Sequence, residues 1–140
     1  MSEALLSGWL MSKPKSKTEK KIDNNIRVAL TEVCEQCLGE LPGFQWLTHQ
    51  ANYTNFPASL LVTCVFDSEA HRQQAEASGE TQKLQKQIQV RLLKIGVKFK
   101  ALSRQVLFDS EELCDQQHAG DWAARLASRE GRAVSPNRPH

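Results

Sequence analysis

The chain has 140 residues, 40% of them hydrophobic and 24% charged, with a net charge of +2. That length suits one domain with short appendages, and that composition supports a proper core. No apolar run approaches the ~20 residues of a membrane-spanning helix, and no lysine or arginine precedes the apolar patch of Met1–Leu10, so neither an anchor nor a secretory signal is expected.

Residues 1–18 read as a flexible basic arm, carrying Lys13, Lys15 and Lys17. Met11, followed by Ser12-Lys13-Pro14-Lys15, offers an alternative start. From Glu19 a helical period appears, with Ile22, Ile26, Leu30, Val33, Cys37 and Leu41 at intervals of three or four. Gly39, Pro42 and Gly43 end that helix. Phe44 to Tyr53 reads as a strand, Thr54-Asn55-Phe56-Pro57 as a turn, and Ser59 to Phe66 as a second strand. The second is apolar on both faces, which predicts a central place in a sheet.

Asp67 or Ser68 is placed to cap a long helix from Glu69 to Ile95, broken at Ala77-Ser78-Gly79. Beyond the break, Leu84, Ile88, Leu92 and Ile95 form one apolar stripe, and Gly96 sits where a left-handed residue stops a helix. Gln105-Val106-Leu107-Phe108 predicts a third strand. Asp109 to Glu112 resembles a capping box, and Asp121 is placed to cap a last short helix bearing Trp122 and Leu126. The tail, 129–140, contains two prolines and no apolar period and is expected to be disordered. A single α+β domain over 19–128 follows: a three-stranded sheet with helices on one face, in the order helix, strand, strand, broken helix, strand. Such a sheet leaves its other face, or the helix break, free for a ligand.

Charge is distributed unevenly. The 28 residues from Thr81 to Phe108 hold Lys83, Lys86, Arg91, Lys94, Lys98, Lys100 and Arg104 and no acidic residue; subtracting that +7 from +2 leaves the other 112 residues at −5. Lys13, Lys15, Lys17, Lys20 and Lys21 form a second cluster. Such asymmetry points to a phosphate backbone, although a lysine-rich helix face is also simply a solvated one. Lys94, Lys98, Lys100 and Arg104 flank the end of the helix and the entry to the third strand and are the first candidates for contact. Phe99, between Lys98 and Lys100, reads as core. Phe44, Trp46, Tyr53 and Phe56 read as core or interface packing before base stacking.

Other chemistry is weaker. Cys34-Glu35-Gln36-Cys37 with Cys114 and His118 has helix-compatible spacing for metal ligands, but Cys37 lies on the apolar stripe, so no metal is expected. The four cysteines form no dense framework, which fits a cytoplasmic setting. His49, His71, His118 and His140 stand beside no nucleophile, and no glycine loop cradles phosphate, so neither catalysis nor a cofactor is expected.

The element order is the plan of a type II KH-like domain, and from about Lys20 to Leu126 the chain resembles ribosome-binding factor A. The resemblance rests on Val62-Thr63-Cys64-Val65-Phe66-Asp67, the broken helix with its Ala77-Ser78-Gly79 kink, and Gln105-Val106-Leu107-Phe108-Asp109-Ser110. It implies RNA or a ribosomal subunit as the partner, with no membrane and no enzymatic step. The chain is also similar to an uncharacterised bacterial family that carries the name Fis-type transcriptional regulator, which implies DNA. A helix-turn-helix over Gln87–Val106 with Gly96 as its turn places Leu92 where a small residue belongs, so RNA ranks first. A protein–protein adaptor or homodimer is the third reading.

Overall fold

The computed structural model describes residues 16–129. Helix α1 spans Lys17–Glu40, strand β1 Phe44–Gln50 and strand β2 Leu61–Phe66. They are followed by α2 (Glu69–Ala77), α3 (Glu80–Lys94), a single turn α4 (Leu102–Gln105), β3 (Val106–Ser110), α5 (Glu111–His118) and α6 (Trp122–Ala127). The sheet order is β1-β2-β3, with β1 antiparallel and β3 parallel to β2. The α+β class, the element order and the central position of β2 are those expected from the sequence. A parallel β2–β3 pair requires a long crossover, which α2, α3 and α4 supply.

All six residues of β2 are buried. Alternation sends Val62, Cys64 and Phe66 to one face, where they meet Ile26, Leu30 and Val33 of α1 and Leu84, Ile88 and Leu92 of α3. Each such side chain contributes about 1.5–3 kcal/mol on full burial. Val65 points the other way and packs with Trp46, Cys114, Trp122 and Leu126. The face left open in the sequence reading is therefore covered in part by α5 and α6.

That second layer is held by charge and indole groups. Asp109, buried on β3, accepts from Arg125 Nε at 2.6 Å and Nη2 at 2.9 Å, from Arg129, and from the Ser110 amide. Burial pushes its carboxyl up, but the Arg125 hydrogen bonds and the Arg129 charge outweigh this and hold it below the ordinary value. Glu111 accepts from both Trp46 Nε1 (2.7 Å) and Trp122 Nε1 (2.8 Å), whose rings meet edge-on at 4.8 Å. Ser110, not Asp109, caps α5 by accepting from the Leu113 amide. Glu112 instead reaches the Glu69 amide at the start of α2. Arg129, assigned to the tail from sequence, is thus anchored in the domain.

Three further boundaries differ from expectation. Helix α1 begins at Lys17 because Ser16 accepts from the Glu19 amide, so the arm is shorter than 1–18 by two residues; the rest of it lies outside the described residues. Strand β1 stops at Gln50 rather than Tyr53. Tyr53 enters a 3-10 turn, stacks on Phe56 at 5.1 Å and donates its hydroxyl to Asp23 of α1 at 2.7 Å. Gln105 ends α4 instead of starting β3. Its buried carboxamide accepts from the Lys100 and Ala101 amides and donates to the Pro57 and Leu60 carbonyls, all at 2.8–2.9 Å.

Helix α3 ends as the glycine predicts. Gly96 has φ +85°, its N–H bonds to the Leu93 carbonyl, and the Val97 N–H bonds to that of Leu92. This is a Schellman motif, closed by contact of buried Leu92 and Val97. Ile95, placed on the apolar stripe from sequence, is instead 37% exposed.

Two outcomes follow from these polar contacts. Gln105→Leu keeps the side-chain volume but strands two amides and two carbonyls, so it should cost about 2–4 kcal/mol in urea unfolding. Asp23, which also accepts from His49 Nε2 and Arg27, is driven up by burial but carried down overall to about 2 by the His49 and Tyr53 hydrogen bonds, from an ordinary 3.8. A depressed carboxyl stabilises the fold fully above pH ~4 and loses that contribution as pH falls towards 2. Asp23→Asn should therefore flatten the dependence of stability on pH between 4 and 2, measured by urea titration at each pH.

Candidate nucleic-acid interface

The seven candidate cations divide among three consecutive pieces of chain. Lys83, Lys86, Arg91 and Lys94 lie on α3, Lys98 and Lys100 on the connector after it, and Arg104 on α4. Residues 81, 84, 88 and 92 face the core, which turns the opposite side of α3 outward. Lys83, Lys86, Val90 and Lys94, spaced three, four and four apart, run down that side for about 16 Å. In the connector, Val97 and Phe99 are buried, and the alternation of an extended chain leaves Lys98 and Lys100 exposed between and beyond them. Phe99 is thus core, as its spacing indicates. Arg104 is exposed on α4.

Neutralisation is uneven. Arg91 is only partly exposed, and its guanidinium bonds to Glu32 of α1. The other six cations form no ion pair among the described residues. Arg91 and Lys94 also occupy the last turn of α3, where positive charge complements the helix dipole, so both have a structural role irrespective of any ligand.

Helices α1 and α3 run antiparallel: Glu80, opening α3, lies near enough to Cys37 to affect its thiol, whereas Arg91 near the other end reaches back to Glu32. The N-terminal end of α1, with exposed Lys17, Lys20 and Lys21, therefore lies at the same end as Lys94. Lys13 and Lys15 lie outside the described residues. Between the two helices opens a groove of about 350 Å³, lined by Asn25, Val28, Ala29 and Glu32 from α1 and by Arg91, Lys94 and Ile95 from the α3 end. Of its lining, Val28 is 51% exposed and Ile95 37%. The sequence reading did not single out this groove. Its signal was present in Val28, an apolar residue that falls off the core stripe of α1.

Among the described residues, the aromatic candidates offer no open stacking platform. Phe44, Trp46 and Phe99 are buried, and Tyr53 and Phe56 stack on each other. The cysteine–histidine constellation does not assemble. Cys34 and Cys37 lie in the core with Cys64, whereas Cys114 packs against the opposite face of the sheet. Burial pushes the Cys34 and Cys37 thiols up to about 11. Among the described residues no group of three or more His, Cys, Asp or Glu is placed to hold a metal ion. His49 is buried against Asp23.

Over Gln87–Val106 the chain forms α3, a non-helical connector and the four-residue α4, which runs directly into β3. A recognition helix needs more turns than that to lie in a major groove. Among the described residues no helix is long and apolar enough to cross a membrane. No family model, curated protein or solved structure matches the chain.

The Arg91–Glu32 pair sits at the surface, where such pairs are worth less than about 1 kcal/mol. Glu32→Gln should accordingly leave the thermal midpoint nearly unchanged, within about 3 °C by differential scanning calorimetry.

Proposed function

We propose that this protein is a non-enzymatic, cytoplasmic RNA-binding protein, associated with ribosomal RNA or a ribosomal subunit, that grips phosphate backbone with the outer side of α3 and the chain after it. The observation that carries the reading is the set of six exposed cations, Lys83, Lys86, Lys94, Lys98, Lys100 and Arg104, without carboxylate partners among the described residues. On a chain otherwise at −4, they make a local field that attracts polyanions. Lys17, Lys20 and Lys21 extend that field from α1. The resemblance to ribosome-binding factor A supports RNA as the polyanion, and the brevity of α4 favours it over a DNA regulator. Contacts of this kind position a backbone and carry little sequence preference. Four buried reduced cysteines agree with a cytoplasmic setting.

Binding through phosphates releases counterions, so log affinity should fall linearly with log salt, with a slope of roughly −0.7 to −0.9 per phosphate contacted. Changing Lys94, Lys98, Lys100 and Arg104 together to Glu should weaken RNA binding at least tenfold and flatten that slope, with the fold retained and the melting temperature lowered by only a few degrees through the lost dipole contact of Lys94. Fluorescence anisotropy against a structured RNA, and co-sedimentation with ribosomal subunits, provide the measurement. Undiminished binding by the variant defeats this reading, and tighter binding to duplex DNA at matched salt transfers it to the regulator.

A further inference from the structure

Arg91 belongs to the basic stretch by sequence but differs from its neighbours in the fold. Its guanidinium is held by Glu32 across the space between α1 and α3, at the edge of the groove described above. The ion pair removes it from simple phosphate contact. The pair uses one nitrogen of the guanidinium and leaves its planar character intact, and a guanidinium plane is a surface on which an unstacked base lies.

The groove suits such a base in three respects. Its walls are aliphatic, from Val28, Ala29 and Ile95, and Val28 and Ile95 are 51% and 37% exposed. Its lining also includes Asn25 and Glu32, side chains of the types that meet base edges, Glu32 having one oxygen on Arg91. Lys94 stands on both the groove and the outward stripe with Lys83 and Lys86, so a strand whose phosphates track α3 brings its bases past the opening. A continuous A-form duplex keeps its bases stacked inside and offers only phosphates and 2′-hydroxyls to such a surface. An unpaired nucleotide supplies both the anion and the flat apolar slab.

We propose that the α1–α3 groove takes the base of one unpaired nucleotide, laid against the Arg91 guanidinium, with its flanking phosphates on Lys94 and the α3 lysines. This inference rests on the RNA-binding reading and narrows it to RNA with a bulged or looped-out residue. An acidic amphipathic peptide is the rival occupant; the excess of Arg91 and Lys94 over Glu32 attracts either, but a nucleotide also uses the planar guanidinium and the Asn25 side chain.

The test uses the full chain and three labelled RNAs: a perfect duplex, the same duplex with a one-nucleotide bulge, and that bulge made abasic. The bulged RNA should bind about tenfold tighter than the other two. It should also shift the methyl signals of Val28 and Ile95 in NMR spectra, which the abasic RNA leaves in place. Arg91→Lys, which keeps the charge and loses the plane, should bring the preference to within twofold of unity, with folding checked by the same spectra. Equal, salt-sensitive affinity for all three RNAs overturns the groove assignment and leaves the basic surface standing. Failure of every RNA to bind overturns both. Methyl shifts produced by a glutamate-rich, leucine-spaced helical peptide and not by bulged RNA assign the groove to a protein and overturn the inference.

Discussion

Strand β2 has no side that water can reach, and that constraint organises everything around it. A strand apolar on both faces must be flanked on its edges and covered above and below. β1 and β3 satisfy the edges. The long helices cover one face, where Val62, Cys64 and Phe66 enter the principal core, and the short α5–α6 pair covers Val65 on the other. The two coverings differ in kind. One is aliphatic; the other is an indole pair around a shared carboxylate, beside a carboxylate gripped by two arginines. Burying Asp109 is favourable only because its oxygens are fully engaged, as an unpartnered buried charge is costly.

The crossover from β2 to β3 is also the part of the chain that bears the cations. Its first duty is to return the chain parallel to β2, and packing consumes the inner side of α3 in doing so. Lysines are then confined to the outer side, where long aliphatic stems tolerate partial contact while the ammonium groups stay hydrated. The glycine stop after α3 and the Gln105 bridge fix the connector at both ends, so Lys98 and Lys100 project from a defined backbone. Surface charge and topology are in this sense one feature.

Sequence periodicity located the elements well where local chemistry and burial agree. The stripe from Ile26 to Cys37, the two-sided apolarity of β2, the break at Ala77-Ser78-Gly79 and the stop at Gly96 were all legible. It failed where a distant partner decided the outcome. Tyr53 looks like a strand residue, yet its hydroxyl is claimed by Asp23, 30 positions away. Asp109 looks like a helix cap until Arg125 and Arg129 claim it, leaving Ser110 to do the capping. The basic residues were legible as a set, but the withdrawal of Arg91 by Glu32 was not, since 59 residues separate them. The groove depends on the antiparallel pairing of α1 and α3, which no local pattern encodes.

The anchoring of Arg129 on Asp109 holds the last described residue in the α6 layer, with the sheet between it and α3. Helix α1, by contrast, starts at the end of the molecule that holds Lys94. The two ends of the described domain are therefore inequivalent. A residue at the end of α6 is thus screened from the cations by the whole thickness of the sheet, whereas Lys17, Lys20 and Lys21 stand on their side of it.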